Sequence, residues 1–353
     1  MKISILYKFR DHQPWGGANQ FLQALRKYFK QRNCYEPVPE LADILIFISY
    51  PFNDERLYTL VKKIKKINNQ VLVINRMNGP ISLYRNRDIE IDKINFKFNK
   101  YVADGTIYQS EWSRQECYKL GMEKNKFETV IMNAPDPEIF YPSTNDSKDG
   151  SDNNKHHLIA VSWSNNPNKG FDIYQFLDKN LDFNKYQMTF VGNSPVSFNN
   201  IHQIQTVSSI KLADILRNHD IFVFASKIET CSNSLIEALS CGLPVVARNN
   251  SSQPEIVGHN GVLFNDTTDV LSAINKVSSN LSTYKGQMIT FDIQTIGNKY
   301  YDFCKMIHTN ERNKFYKPKK WTFVNWLKIV ILSYHWKIML KTQLILSKII
   351  KRK

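Results

Sequence analysis

The sequence predicts an α/β protein of two doubly wound, Rossmann-like domains facing a cleft, followed by a basic amphipathic helical tail. Three observations predict it. The chain has 353 residues, about twice a typical domain. Strand-like and helical segments alternate through most of it. One polar, turn-rich stretch interrupts that alternation near its middle. A hydrophobic fraction of 42% with 22% charged residues leaves each half enough apolar surface for a core and excludes a disordered chain.

The alternation begins at the first residues. Lys2–Tyr7 reads as a short strand, the loop after it carries Trp15-Gly16-Gly17, and Ala18–Phe29 has helical spacing through Phe21, Leu22, Leu25 and Phe29. Ile44–Ser49 is an apolar run without period, as expected of a strand covered on both faces. A helix at Glu55–Ile67, strands at Val71–Ile74 and Gly105–Tyr108, a helix at Glu111–Leu120 and a strand at Phe127–Ile131 follow. Between Tyr141 and His157 the chain turns polar and loses its periodicity, which reads as a linker at 146–157 closing a first domain at 1–145.

Beyond it the rhythm restarts. Leu158–Trp163, Met188–Val191, Asp220–Ala225 and Pro244–Ala247 read as strands, and Phe171–Leu177, Ile210–Leu216 and Ser234–Ser240 as helices. The second domain is drawn at 158–311, with its last helix allowed to return to the first domain. Two such sheets present the carboxyl ends of their strands to a shared cleft, where open α/β sheets bind ligands.

Charge and cysteine content narrow the function classes. The net charge is +15, from 47 basic and 32 acidic residues. Twelve of the basic residues, and no acidic ones, fall between Arg312 and Lys353, so the first 311 residues carry only about +3. A nucleic-acid binder would place its basic face on the folded body, so no nucleic-acid partner is expected. The cysteines Cys34, Cys117, Cys231, Cys241 and Cys304 are odd in number and have no CxxC spacing, which gives neither a disulfide framework nor a zinc site. Met1–Phe9 reads as a strand and polar loop instead of a signal peptide, and the expectation is a cytoplasmic protein.

The chemistry lies in Asp220–Ala247. A strand ends in a loop carrying Glu229, and the loop feeds a helix opened by Ser232, Asn233 or Ser234, with Glu237 one turn in. Gly242 closes the helix and Pro244 starts the next strand. Free N–H groups at a helix start bind phosphate, and a carboxylate can accept hydrogen bonds from two adjacent sugar hydroxyls. The pattern therefore suits a sugar nucleotide, with diphosphate on the helix start and one carboxylate for each sugar. Other readings of the same residues stand beside it. Ser234-x-x-Glu237 is also a capping box, and Glu229 is equally a solvated loop residue. Gly16-Gly17, between the first strand and its helix, either admits a phosphate or forms an ordinary tight turn.

Glu229, Glu237 and the Ala238-to-Ala247 run, then Gln253-Pro254-Glu255-Ile256-Val257 and Gly261-Val262-Leu263-Phe264, resemble the family 4 retaining glycosyltransferases of GT-B fold, of the bacterial surface-polysaccharide type. Asn168-Lys169-Gly170 resembles that family's lysine–glycine loop, and Phe190-Val191-Gly192-Asn193 its next strand-to-glycine turn. Asn133-Ala134-Pro135-Asp136, with Phe140 and Pro142, resembles the segment closing the first domain. The likeness spans most of residues 1–305 and is specific in the second domain. It implies that Lys169 neutralises the donor diphosphate with the backbone of Ser232, Asn233 and Ser234. It also implies that Glu237 holds the nucleotide ribose and that Glu229 holds the transferred sugar as the catalytic contact. Gly16, Gly17 and Gly192 complete the expected donor contacts.

The sequence departs from that family in two places. Ser164 stands where the family carries a phosphate-binding arginine, leaving Arg76 and Arg248 as candidate replacements. The first-domain strand end at Asn75–Pro80 has no histidine, for which His12 is a candidate substitute. No Asp-x-Asp pair or His/Cys cluster has ligand spacing, so neither metal nor other cofactor is expected beyond a UDP- or GDP-linked donor.

In Trp321–Lys353 the longest charge-free stretch is too short for the ~20 apolar residues that span a bilayer. Lys337, Lys341, Lys348 and Lys351 share one helical side and Leu327, Ile331, Tyr334, Ile338, Ile345 and Ile349 another. That is the pattern of a helix lying on an anionic membrane surface, unless it packs on the body. The expected function is a glycosyltransferase acting on a glycan or lipid-linked glycan from the inner face of the cytoplasmic membrane. A nucleotide-sugar epimerase of the same fold and a non-catalytic membrane-bound assembly partner are the alternatives.

Overall fold

A computed structural model describes residues 1–10, 17–48, 56–86, 89–143, 155–286 and 291–329, together with 331 and 342. Gly16, His12, most of the expected linker and most of the tail beyond Ile329, including Lys337, Lys341, Lys348 and Lys351, lie outside the described residues.

The first sheet holds β1 (Ile3–Leu6), β2 (Ile44–Ile48), β3 (Leu72–Arg76), β4 (Gly105–Tyr108) and β5 (Glu128–Val130). All are parallel and in sequential order. Among them run α1 (Gly17–Gln31), α2 (Arg56–Ile67), α3 (Ile81–Arg85), α4 (Ile89–Tyr101) and α5 (Glu111–Lys119). The aperiodic apolar reading of β2 has its cause here: Ile44, Ile46 and Ile48 enter one core and Leu45 and Phe47 the other.

The second domain contains β6 (His156–Ser162), α6 (Phe171–Asn180), β7 (Tyr186–Gly192), β8 (His202–Ile204), α7 (Ser209–Arg217), β9 (Ile221–Phe224) and α8 (Asn233–Ser240). β10 (Val245–Arg248), α9 (Gln253–Val257), β11 (Gly261–Phe264), α10 (Val270–Ser278) and α11 (Leu281–Gly286) follow. Its parallel strands lie in the order β11-β10-β9-β6-β7-β8. This is the doubly wound order, with the chain reversing direction between β6 and β9. Ile221 and Val223 of β9 pack into one core and Phe222 and Phe224 into the other. The first sheet differs in having no such reversal, although both of its faces are covered.

Part of that cover comes from the far end of the chain. The helix α12 (Ile293–Arg312) leaves the second domain and packs beside α1, with Ile296, Tyr300, Phe303 and Ile307 against Ile3, Phe21, Leu25 and Ile74. Asp292 caps it through Gln294 and Thr295 N–H. At Gly297 an added Cβ would lie 2.5 Å from the Tyr28 ring, so only glycine lets the two helices approach this closely.

The chain after α12 stays on the first domain. Asp104 accepts from Tyr316 Oη (2.9 Å), Lys319 N (2.7 Å), Lys65 Nζ (3.2 Å) and Val73 N (2.8 Å). Burial lowers the Lys319 ammonium to about 8. Trp321 packs on Phe98, Ile329 is buried beside it, and Lys62 lies 4.0 Å from the Trp326 ring centroid. Within the tail expected at 312–353, a buried aspartate and an aromatic cluster tie residues 316–329 to the folded body. Phe323, Val324, Leu327 and Ile331 remain exposed.

Candidate functional site

β6 and β9 lie side by side at the point where the strand order reverses, and the site is built from the loops at their carboxyl ends. The loop after β6 makes a 3-10 turn at Pro167–Lys169. Asn166 caps it by accepting from Asn168 N–H (2.9 Å). Gly170 follows at φ +77°, and a Cβ there would lie 2.0 Å from the Ala225 carbonyl oxygen. Only glycine lets this loop press onto the end of β9. Lys227 N–H also donates to the Asn168 carbonyl (2.7 Å), so the two loops are stitched together.

Lys169 and Glu229 consequently meet, Nζ to Oε1 at 2.5 Å. Glu229 is held from its other side, its N–H donating to Ser251 Oγ (2.9 Å) and its carbonyl accepting from Ser252 N–H (3.3 Å). Gln253 Nε2 fixes the same loop through the Ser226 carbonyl (2.6 Å). Both side chains of this ion pair are partly buried, at 27% and 19% exposure.

Glu237 settles the question of the capping box. The N-cap of α8 is Ser232, whose Oγ accepts from Leu235 N–H (3.4 Å). Glu237 is therefore the fifth helical residue, too far along to fold back on the cap. Its side chain is buried at 7% exposure and makes no hydrogen bond or ion pair among the described residues. Burial pushes the carboxyl up to about 7.

Two adjoining cavities share Ser164, Lys169 and Glu229. The larger, about 570 Å³, is lined also by Tyr84, Arg85 and Asn166–Asn168. The smaller, about 280 Å³, is lined also by Gly17, Trp163, Ser232, Asn233, Ser234 and Glu237. The structure thus brings together Lys169, Glu229, Ser232, Asn233, Ser234, Glu237 and Gly17. A Cβ on Gly17 would lie 2.3 Å from Asn233 Cβ, so glycine is what allows the start of α1 to meet the start of α8.

Other expected residues lie elsewhere. Gly192 lines neither cavity, and its φ of +116° serves a close approach to the Ser162 carbonyl. Neither proposed arginine replaces the one missing at Ser164. Arg76 is fully buried, donating to Tyr300 Oη (3.1 Å), Asn78 Oδ1 (2.6 Å), Gln109 Oε1 (2.7 Å) and Asn133 Oδ1 (2.6 Å). Arg248 is buried with its Nη2 3.5 Å from Asp172 and lines neither cavity.

Sequence reasoning missed Arg85, at the end of α3, because the crossing of α3 over the cleft has no local signature. It also missed Glu255, which accepts from Glu111 N–H (2.8 Å) and Trp112 N–H (2.7 Å) and so caps α5 of the first domain from the second. No group of three or more His, Cys, Asp or Glu side chains among the described residues could hold a metal ion.

Residues 163–280 match the family model of glycosyl transferases group 1. The phosphatidylinositol N-acetylglucosaminyltransferase GPI3 subunit of Saccharomyces cerevisiae (strain YJM789) is 24% identical over 228 residues, covering 58% of this chain and 50% of that protein. The chain thus spans about half the length of this curated relative. Anabaena HepE, solved with UDP and glucose, aligns at a TM-score of 0.66 and 16% identity over 87% of this chain and 100% of that one. WaaG, a glycosyltransferase involved in lipopolysaccharide biosynthesis, aligns at 0.61 and 14% over 86% and 99%. Residues 163–280 thus resemble the group 1 glycosyl transferases, and the chain has the two-sheet α/β fold of these solved GT-B glycosyltransferases.

Proposed function

We propose that the protein transfers a sugar from a UDP- or GDP-linked donor to a glycan or lipid-linked glycan, with retention and without metal. One observation carries this reading: Glu237, a buried carboxyl without a partner among the described residues, faces the same cavity as the Lys169–Glu229 ion pair and the first turn of α8. A buried acceptor left open by the fold is matched by a ligand that brings donors, and the vicinal hydroxyls of a ribose do so. The diphosphate lies between Lys169 and the N–H groups of Asn233 and Ser234. Lys169 then exchanges its contact with Glu229 for phosphate, and Glu229 accepts from the hydroxyls of the transferred sugar.

In the transfer, the bond from the anomeric carbon to the β-phosphate oxygen breaks and its electron pair leaves with the diphosphate. The acceptor hydroxyl oxygen bonds the anomeric carbon and its proton passes to the released phosphate. Lys169 and the α8 N–H groups are fixed before the charge develops, which is the source of their catalytic effect. The UDP and glucose named with HepE support the donor class.

The test is a panel of UDP-, GDP- and other nucleotide sugars, followed by binding and by slow donor hydrolysis, with and without EDTA. Binding of at least one, unaffected by EDTA, is expected. Binding of none removes the donor reading, and dependence on a divalent ion removes the metal-free one.

The exposed face of Phe323, Val324, Leu327 and Ile331, in a tail with twelve basic and no acidic residues, supports docking on the cytoplasmic leaflet. No described helix is long and apolar enough to cross a membrane. Truncation after Ile329 combined with Phe323→Ser and Leu327→Ser should abolish sedimentation with anionic vesicles. Unchanged sedimentation would rule out this surface.

A further inference from the structure

We propose that Glu255 is a positioning residue for the Lys169–Glu229 pair, tying the separation of that pair's two loops to the closure of the domains. The inference rests on the donor reading above, in which the pair meets the diphosphate and the transferred sugar.

Glu255 lies in α9, and both of its carboxylate oxygens accept from backbone N–H groups of the other domain. Oε2 accepts from Glu111 (2.8 Å) and Oε1 from Trp112 (2.7 Å). Both donors are in the first turn of α5, where N–H groups have no partner within the helix and the dipole favours negative charge. Such a contact is charge-assisted and stronger than a neutral one. Two bonds also resist a rotation that one would allow.

From this contact one path of hydrogen bonds runs through the second domain to Glu229. Just ahead of Glu255, Ser251 Oγ accepts from Glu229 N–H (2.9 Å) and Ser252 N–H donates to the Glu229 carbonyl (3.3 Å). Ser251 Oγ in turn donates to Gln253 Oε1, at the start of α9. A second path runs through the first domain to Lys169. Ser113 of α5 donates its hydroxyl to the Gly79 carbonyl, just ahead of α3. Near the other end of α3 the Tyr84 carbonyl accepts from Asn166 Nδ2 (2.8 Å) and Asn168 Nδ2 (2.9 Å). Those asparagines belong to the turn that ends in Lys169.

The two paths meet at the ion pair. The circuit crosses between the domains twice, at Glu255 and at the two asparagines. Lys169 and Glu229 both belong to the second domain, yet the loop of each is referenced to the first. A nucleoside diphosphate docks on second-domain groups and does not need the crossings. The transfer step needs the pair aligned, and so it does.

Glu255→Ala, Glu255→Gln, Asn168→Ala and the double variant Glu255→Ala/Asn168→Ala are compared with wild type. The native cysteines are buried, so spin labels can be directed to Ile67→Cys in the first domain and Ile210→Cys in the second, at positions 66% and 65% exposed. Without ligand, Glu255→Ala should lengthen and broaden the label-to-label distances. Its turnover in hydrolysis of the UDP- or GDP-sugar that wild type prefers should fall about tenfold, with affinity for UDP or GDP within about twofold. Glu255→Gln keeps one acceptor oxygen and should recover part of both effects. The double variant should lose no more turnover than the worse single one, because cutting either crossing already frees the pair. Unchanged distances in both Glu255 variants overturn the proposal, as does a loss of affinity equal to that of turnover. A double variant at or beyond the product of the single losses overturns it too. If wild type binds and hydrolyses no nucleotide sugar, the donor reading falls and this inference with it, even where the distances shift.

Discussion

The two domains bury ionisable side chains near the cleft in opposite ways. In the second, Glu237 is buried without a hydrogen-bond or ion-pair partner among the described residues and opens onto a cavity. In the first, Arg76 is buried more deeply still, yet four neutral acceptors surround its guanidinium and the Phe21 ring covers it. A buried group whose hydrogen-bonding capacity is filled inside the fold is scaffold, and one left open by the fold is a site. Both residues read as candidates for ligand contact, and only the count of their partners separates them. Asn133 joins the two cases, accepting from Arg76 while donating to Asn233 Oδ1 at the start of α8 (3.0 Å).

The largest expected effect lies on the open side. Glu229→Gln keeps a hydrogen-bonding group but loses the charge that faces Lys169. Turnover should fall by about 10²- to 10³-fold, with nucleoside diphosphate affinity within about threefold. Steady-state kinetics beside calorimetry checks this, and a parallel loss of both would make Glu229 a general support of the pocket. Next comes the closed side. Arg76→Met strands the acceptors on Asn78, Gln109 and Asn133, and should cost about 3 kcal/mol of stability in denaturant unfolding. Donor KM should stay near that of wild type, and the comparison breaks if KM rises tenfold without loss of stability.

The smallest effect depends on pH. The Glu237 carboxyl titrates near 7 in the fold, above its ordinary 4.5. Stability is therefore full below about pH 4.5 and declines as the pH rises through 7, because ionisation leaves a buried carboxylate without donors. Glu237→Gln removes that decline, and the free protein should match wild type at pH 4.5 and exceed it by about 2 kcal/mol at pH 8. Nucleotide affinity of wild type should rise between pH 5.5 and 8, since the ionised form accepts the ribose hydroxyls, and the variant should bind about tenfold more weakly at pH 8. A flat affinity profile in wild type would detach Glu237 from the ribose.

These residues also show what the chain revealed by itself. Lys169, Glu229 and Glu237 were legible because strand, loop and helix follow each other within one doubly wound unit, where sequence position fixes spatial position. The cap of α8 was left open among Ser232, Asn233 and Ser234, of which the fold uses Ser232, and the pairing of Lys169 with Glu229, 60 residues apart, was not legible. The cavity position of Arg85 and the cap that Glu255 gives α5 were not legible, because each is set by contact between the domains, which no local pattern encodes. One long helix was missed for a related reason. The buried face of α4 carries Glu90, Asp92, Asn95 and Asn99, which breaks its apolar period. A last helix returning to the first domain was allowed for, but the seat of α12 beside α1 is set by tertiary contacts such as Tyr28 Oη to Asn298 Oδ1 (2.6 Å) that the sequence does not display.

The return of α12 has a consequence for how the protein is made. Ile3, Phe21 and Leu25 leave the ribosome early, but Tyr300, Phe303 and Ile307, which share their core, are synthesised some three hundred residues later. At about 5–20 residues per second of synthesis, the first half must wait tens of seconds with that apolar face uncovered. The second domain has all of its strands within 156–264 and can fold during the delay. The nascent chain therefore completes its inner segment first and its outer one last, and the earliest residues translated are among the last to be sheltered from aggregation or chaperone capture.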